Sequence, residues 1–361
     1  MIRDAYAVIL AGGRGERFWP LSTSERPKQF LTLIGGKPLL AQAVDRLRGL
    51  LPPERIFIIT HADLVMATRS VAPRIPPDNV IGEPFGRDTA AACALALALV
   101  RARSPQGVFC VLTADQLIKD LEVFRATLRA GLKLAHGSES LITIGIRPAY
   151  ASTGFGYIEA GKRVQKLGKI EFLEVQRFVE KPDASTAKRF VATGRYYWNS
   201  GMFMWSVASL ERALATYRPE LSAMARRIAA TISTSRFEAS LRKEYQNLEK
   251  ISIDYAIMEK AKNILMAKGV FRWDDVGSWP ALANHLKPTA GGNIVVGDCT
   301  AVDSAGNLVV SEGRLTALLG VHDLVVVHSG RASLICPKER AQELKKIIRA
   351  LAEHPRYRKL L

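Results

Sequence analysis

Very little in this chain offers covalent cross-linking or a membrane anchor. Its 361 residues contain four cysteines, Cys93, Cys110, Cys299 and Cys336, far apart and without a Cys-x-x-Cys pair. That spacing argues against a disulfide scaffold or a structural zinc site and fits a reducing cytoplasm. The six histidines show no metal-ligand spacing. No apolar run is long enough to span a bilayer, and the longest, residues 90–100, reads as a buried helix. Arg3 and Asp4 lead straight into an extended run at 6–10, with no signal-peptide layout, so no membrane association is expected. Acidic residues are in deficit, 34 against 51 Lys and Arg, for a formal charge of +17. Such a balance invites a nucleic-acid partner, but the basic residues are spread along the chain. Their densest patch, 338–359, reads as one amphipathic helix with its tail. A basic surface of this diffuse kind suits small phosphorylated ligands, and no nucleic-acid partner is expected.

The hydrophobic fraction of 48% and the charged fraction of 24% are those of a folded globular chain. A length of 361 residues predicts one large domain and a smaller one. Up to about residue 146, short β-rich runs at 6–10, 55–60, 107–112 and 141–146 alternate with helical patterns. That alternation predicts an α/β domain with a mainly parallel sheet. Pro38 opens a helix whose Leu39, Ala43 and Leu47 share a face, and Thr89 reads as the N-cap of the Ala/Leu-rich helix. From Gly154 the texture becomes aromatic and Gly-rich (155–158, 177–182, 197–205), with helices at 184–193 and 206–217 and mostly helical sequence to 262. Beyond Pro288, strand-like pieces at 294–296, 308–310, 324–327 and 333–335 recur at turn-separated spacing before a helix from Lys338. These pieces suggest a small β domain of partial β-helix type.

The sharpest local feature is Ala7-Val-Ile-Leu-Ala-Gly-Gly-Arg-Gly-Glu-Arg17, followed by Phe18-Trp19-Pro20-Leu21-Ser22 and Pro27-Lys28-Gln29-Phe30. A strand that ends in small residues lets backbone N–H groups approach a polyphosphate closely. Arg14, Arg17 and Lys28 would add positive charge for the β- and γ-phosphates. No Gly-Lys-Ser/Thr closes the loop, so it is not a Walker A motif. Phe18 stands where a dinucleotide fingerprint needs its third glycine. A bare Gly-Gly-x-Gly turn is structural more often than functional; the Arg and Lys spacing downstream reverses that balance.

This segment resembles the signature of the sugar-nucleotide pyrophosphorylases. Its Phe-Trp-Pro-Leu-Ser and Pro-Lys-Gln-Phe-Leu continuation is similar to the bacterial mannose-1-phosphate guanylyltransferases. Further similar blocks follow in order: Glu83-Pro84, Gly86-Arg-Asp-Thr-Ala90, Gly154–Ile158, Phe178-Val-Glu-Lys-Pro182, Trp198-Asn-Ser-Gly-Met-Phe203, Ser252-Ile-Asp-Tyr-Ala256 and Trp273-Asp-Asp-Val-Gly-Ser-Trp279. The resemblance implies a doubly wound, Rossmann-like nucleotidyltransferase domain over residues 1–287, with an inserted sugar-binding region. Residues 288–361 then form the small β domain, ending in a helix and serving stability and subunit contact. The implied reaction joins GTP to α-D-mannose 1-phosphate, giving GDP-mannose and pyrophosphate, in a cytoplasmic homodimer. Longer relatives append an isomerase domain; this chain stops at Leu361, so only the transferase activity is expected.

By the same resemblance, Asp115 and Asp275 would hold Mg²⁺, a hard cation that takes one or two carboxylates besides substrate and water. Arg17 and Lys28 would be catalytic. Leu10, Ala11, Gly12, Gly13, Arg14, Gly15, Glu83, Pro84, Thr89 and Asp115 would bind the nucleotide, with guanine met mainly by backbone groups. Gly156, Glu180, Lys181 and Asn199 would bind the sugar phosphate. Taken alone, Glu180-Lys181 would be an exposed ion pair, Asn199 a turn residue and Asp274 a solvated loop charge. The four residues Trp198, Trp205, Trp273 and Trp279 would serve equally as core or as stacking platforms. Two departures stand out: Ala114-Asp115-Gln116 where Ser-Asp-His is usual, and Asp88-Thr89 where Asn-Thr is usual. Alternative readings keep the fold with dTTP or UTP and glucose 1-phosphate, or take the chain as a catalytically silent regulatory homologue. Retention of Lys28, Asp115 and Asp275 counts against silence.

Overall fold

A computed structural model of the chain describes residues 4–13 and 15–361. The chain forms two compact units, neither of them one continuous stretch. One comprises the segments up to Gly12, Ala43–Ala114 and Ile118–Trp273; the other comprises Gly13–Gln42, Asp115–Leu117 and Asp274–Leu361.

The first unit is built on a nine-stranded sheet. Its strands are β1 Ala5–Leu10, β2 Ile56–His61, β3 Val80–Glu83, β4 Val108–Thr113, β5 Leu141–Ile146, β6 Tyr157–Leu167, β7 Ile170–Val179, β8 Tyr196–Ser206 and β9 Ile264–Gly269. Their spatial order is β3-β2-β1-β4-β8-β5-β9-β7-β6. The first four are mutually parallel, with Ala7 beside Ile56 and Ala5 beside Val108. That 3-2-1-4 order is the nucleotide-binding half of a doubly wound fold. Strands β1, β2 and β4 are apolar at nearly every position because both faces are covered. Antiparallel β8 inserts between β4 and β5, and β6–β7 form a long antiparallel ribbon at the far edge. The α/β class read from the alternating pattern is thus the class observed, with antiparallel strands confined to the later half.

The Ala/Leu-rich helix, Asp88–Arg103, is buried from Ala90 to Val100. A helix apolar on every side has no face for water. It packs against the amphipathic helices Val207–Tyr217 and Pro219–Ala229, which bury Leu210, Leu214, Leu221, Met224 and Ile228. Its start differs from the expected one. Asp88 has a left-handed φ of 66°, and Thr89 is not the cap: its hydroxyl accepts the Ile253 N–H at 2.9 Å. The helix expected after Pro38 also stops early, at Asp45, although Leu47 is still buried in the turn beyond it.

The second unit contains β10 Ile294–Val296, β11 Cys299–Val302, β12 Leu308–Ser311, β13 Thr316–Leu319, β14 Leu324–Ser329 and β15 Ala332–Pro337. Parallel ladders join β10 to β12 to β14, and β11 to β13; β15 closes the larger ladder in antiparallel sense. Buried asparagines set the corners. The Asn307 amide donates to Asn293 Oδ1 at 2.9 Å, and Asn307 Oδ1 accepts the Leu324 N–H at 2.9 Å. Each coil of this β-helix therefore satisfies the next one's backbone. The helix expected from Lys338 begins as a 3₁₀ turn, Lys338–Glu343, and becomes α-helical at Leu344–Glu353. Phe18, Trp19, Leu21, Leu31 and Leu33, just after the Gly-rich loop, share one core with Trp279, Leu308, Val310, Val325, Val327 and Leu334. Among the described residues no helix is long and apolar enough to cross a membrane.

Candidate active site

Three groups of polar residues stand out, and the first lies in the second unit. Lys28 opens a 3₁₀ turn, Lys28–Phe30, and its side chain is only 6% exposed. Its ammonium donates to Asp115 Oδ2 at 2.9 Å and to the Asp275 carbonyl at 2.6 Å. A shielded ammonium survives only with such partners. Gly15 makes room for it: φ is 64°, and a Cβ there would meet the Lys28 backbone nitrogen at 2.8 Å. Ser22 fastens the loop by donating to the Gly15 carbonyl at 2.6 Å. Arg17 reaches the Gly277 carbonyl at 3.5 Å. Thus Arg17, Lys28, Asp115 and Asp275 lie close together in the fold. Gly13 opens the same unit, and Arg14 lies outside the described residues.

Desolvation raises the Asp275 carboxyl to about 6; Lys28 opposes this, while Asp274 and Asp115 add to it. Two carboxylates beside one lysine form a donor set that suits a hard divalent cation, whose charge would favour the ionised form of Asp275. Two carboxylates leave room for substrate oxygens, so the residues present fit Mg²⁺.

The expectation for Asp274 is corrected. It is no solvated loop charge: Oδ1 accepts the Val276 N–H at 2.7 Å, and Oδ2 lies 2.8 Å from His285 Nε2. Val276 has a φ of 45°, uncommon for a β-branched residue. Asp274 therefore ties down the strained turn that carries Asp275. Two adjacent acids in a loop give no pattern that separates ligand from tie.

The second group, in the first unit, surrounds Glu83 at the end of β3. The carboxyl is buried, accepts the Tyr245 hydroxyl at 3.0 Å, and approaches Gly12. Burial pushes it up to about 7, with Tyr245 pulling down and Asp88 pushing up. Leu10 and Ala11 finish β1: the Leu10 carbonyl accepts Ala114 N–H, and Ala11 N–H donates to Ile59 at 2.7 Å. Pro84 follows Glu83 directly in sequence. The Asp88 departure has a physical reason. Asp, like Asn, tolerates the left-handed backbone, and its Oδ1 accepts the Thr89 N–H at 2.7 Å. Gln116, the other departure, is buried.

The third group, also in the first unit, joins β5, β8 and the loops beside them. The register slips between Thr143–Phe203 and Gly145–Asn199, and Gly201 has a φ of 69°. Such a bulge re-aims a side chain out of the ladder. Asn199 Oδ1 accepts the Thr143 hydroxyl at 3.0 Å, and its Nδ2 donates to Asp254 Oδ1 at 2.9 Å. Glu180 Oε1 accepts from Lys181 at 2.7 Å, while Gly156 packs against the other carboxyl oxygen. Lys181, at φ 47°, is half-exposed, and its ammonium is raised: burial opposes, but the Glu180 hydrogen bond and nearby negative charges outweigh it. Glu180, Lys181, Asn199 and Gly156 are thus brought together, and Asp254 joins them unanticipated. Trp198, Trp205 and Trp279 are buried, Trp273 is partly exposed, and Trp198 and Trp273 both meet Phe155 edge-on, at 5.0 and 5.5 Å.

A Gly-rich loop followed by a shielded lysine that bonds one carboxylate and the backbone carbonyl of a second acid is an arrangement suited to handling a polyphosphate. The nucleotidyl transferase family model matches residues 6–290, and that of the MannoseP isomerase/GMP-like beta-helix domain matches 297–351. An Escherichia coli protein described as a mannose-1-phosphate guanylyltransferase is 33% identical over 362 residues, covering 98% of this chain and 78% of its own. One so described from Klebsiella pneumoniae is 36% identical, covering 97% of this chain and 74% of its own. A Thermus thermophilus crystal structure, described as a mannose-1-phosphate geranyltransferase, is 36% identical with a TM-score of 0.86, covering 96% of this chain and 99% of that one. The chain belongs to the nucleotidyl transferase family, among its mannose-1-phosphate guanylyltransferases.

Proposed function

We propose that this chain transfers GMP from GTP to α-D-mannose 1-phosphate, giving GDP-mannose and pyrophosphate. The observation that carries the reading is the shielded Lys28 ammonium held between the Asp115 carboxylate and the Asp275 carbonyl. A purely structural lysine has no reason to be shielded from water and fixed between a carboxylate and a backbone carbonyl just after a Gly-rich loop. A phosphate oxygen of mannose 1-phosphate attacks the α-phosphorus of GTP, and the bond to the β-phosphate breaks. That oxygen is already ionised near neutrality, so alignment and charge neutralisation do the work that a base would do elsewhere.

Arg17 and Lys28 offset negative charge on the leaving pyrophosphate. Gly12, Gly13, Arg14 and Gly15, with Thr89 and Asp115, receive the nucleotide. Leu10, Ala11, Glu83 and Pro84 line its base, mainly through backbone groups. Glu180 and Asn199 hold sugar hydroxyls, Gly156 offers close backbone contact, and Lys181 meets the sugar phosphate. Asp115 and Asp275 would hold Mg²⁺, which neutralises phosphate charge when bound.

Residues 1–287 carry the transfer chemistry and 288–361 the stabilising β domain. The exposed register partners Val302 and Leu319, 55% and 74% accessible, suit contact with a second copy in a homodimer. Unpaired, scattered thiols suit the cytoplasm. The test is pyrophosphate release from each nucleoside triphosphate crossed with mannose and glucose 1-phosphates. GTP with mannose 1-phosphate should be the preferred pair; preference for dTTP or UTP with glucose 1-phosphate, or no turnover, would overturn the reading.

A further inference from the structure

We propose that Asp254 is a positioning residue for the sugar substrate, holding the Asn199 side-chain amide in the orientation that receives it. This rests on the functional reading above. Asp254 opens a single π-helical turn, Asp254–Met258. Such turns are uncommon and concentrate at functional sites. Just before it, Thr89 Oγ1 accepts the Ile253 N–H at 2.9 Å, and the Ile251 carbonyl accepts the Ala90 N–H at 3.2 Å, so the turn's entry is tied to the long buried helix.

Three bonds fix the Asn199 amide. Its oxygen accepts from the Thr143 hydroxyl at 3.0 Å and from the Gly201 N–H at 3.3 Å. One N–H donates to Asp254 Oδ1 at 2.9 Å. The other has no protein partner among the described residues. An amide with its oxygen committed and one N–H tied can only donate its remaining N–H, which selects a hydroxyl oxygen as its mate. Without Asp254 the amide would rotate or flip, and the aim would be lost.

The charged surroundings make this contact pH-sensitive. Facing Asp254 are Glu180 and Lys181 after β7, Tyr255 on its own turn, and the Cys93 thiol of the buried helix. Glu259, one residue past the turn, accepts the Glu180 N–H at 2.9 Å. Desolvation first, and then Glu180, pushes the Asp254 carboxyl up to about 7, against Lys181 and Asn199. Below that pH it is neutral. Above it, a second negative charge stands beside Glu180, where an anionic sugar phosphate must come. Binding should therefore weaken as pH rises through about 7.

The experiment is steady-state kinetics between pH 6 and 8 on wild type, Asp254→Ala, Asp254→Asn and Thr143→Val. Asp254→Ala should raise the mannose 1-phosphate KM about tenfold, the usual scale for an orphaned polar partner, and leave the GTP KM unchanged. Asp254→Asn keeps an oxygen for Asn199, so at pH 6 its KM should lie within about threefold of wild type. Its KM should lack the rise that wild type shows towards pH 8. The substrate's own titration is common to both proteins and cancels in that comparison. Thr143→Val, which frees the other end of the amide, should shift the same KM and not that for GTP. Equal KM changes for both substrates, or an Asn variant that titrates like wild type, would overturn the inference. If wild type itself fails to turn over GTP and mannose 1-phosphate, the functional reading falls instead.

Discussion

Replacing Asp274 by alanine should damage both the fold and the chemistry, although its side chain is not the one assigned to the metal. The Val276 N–H would lose its acceptor inside a turn whose β-branched residue has a φ of 45°, and Val276 is fully buried. An orphaned buried donor costs about 1–3 kcal/mol, and a left-handed non-glycine residue stores strain of similar order. The turn would then relax towards an ordinary backbone, at a stability loss of about 1–3 kcal/mol and a fall of several degrees in Tm. The same relaxation would move the Asp275 carbonyl away from Lys28 and turn its carboxylate. A misplacement near 1 Å typically costs about 10²-fold in rate, so turnover should fall by about 10–10². The assay is pyrophosphate release at saturating substrates over a Mg²⁺ titration, beside thermal denaturation without substrate. Asp274→Asn keeps an oxygen for Val276 and should lie between wild type and alanine on both readouts. An alanine variant with lower Tm but unchanged turnover and Mg²⁺ dependence would refute the positioning argument; unchanged Tm would refute the strained-turn argument.

Other outcomes follow from the same geometry. Asp115→Asn and Asp275→Asn should each lower turnover by about 10²–10³, with the double variant scarcely worse, because residues that act as one unit are non-additive; multiplying losses in pyrophosphate release would contradict a shared cation. Lys181→Ala should raise the KM for mannose 1-phosphate far more than that for GTP, and equal effects would return Lys181 to the surface charges. Glu83→Gln should stabilise the protein at pH 8 but not at pH 4: the folded carboxyl, raised from 4.5 to about 7, contributes stability below pH 4.5 that is lost as pH rises through 7. At about 1.4 kcal/mol per unit the gain is about 3–4 kcal/mol, read from urea denaturation at both pH values, and a pH-independent difference would contradict it.

The parts legible in the sequence were those with strong local pattern. The buried helix was plain because nothing polar interrupts residues 90–100. The strand Leu141–Ile146 and the helix Ala184–Thr193 fall where their patterns put them, the latter capped by Asp183, whose Oδ1 accepts the Thr186 N–H at 2.8 Å. The strands β11 and β13 were missed because β11 is exposed over most of its length, and β13, although it alternates in burial, leaves apolar Ala317 and Leu319 exposed, so its residue types do not alternate with it. Thr89 misled because the helix starts two residues early, at a left-handed Asp88, and side-chain type does not announce φ. In the site, Lys28 and Asp275 stood in recognisable blocks, and Asp115 at the end of a plain strand. The ties behind them, Asp274 with His285 and Asp254 with Asn199, are long-range pairings without a sequence period. Asp254 stood inside the block Ser252-Ile-Asp-Tyr-Ala256, an acid among mostly apolar residues, but nothing in that block points to Asn199 as its partner.

The shared core of the second unit bears on how such proteins can be recombined. The stretch carrying Lys28 and the β-helix strands are separate along the chain, yet Phe18, Trp19 and Leu31 interdigitate with Leu308, Val325 and Leu334. Phe18 also meets Trp279 edge-on at 4.9 Å, and the Trp19 indole donates to the Leu360 carbonyl at 2.8 Å. The β-helix is therefore not a cassette. A chimera that imports a relative's coils must import matching partners for Phe18 and Trp19 as well, or the stretch that carries Lys28 loses its floor. Drift in the two stretches should accordingly be correlated, with a larger side chain on one side answered by a smaller one on the other.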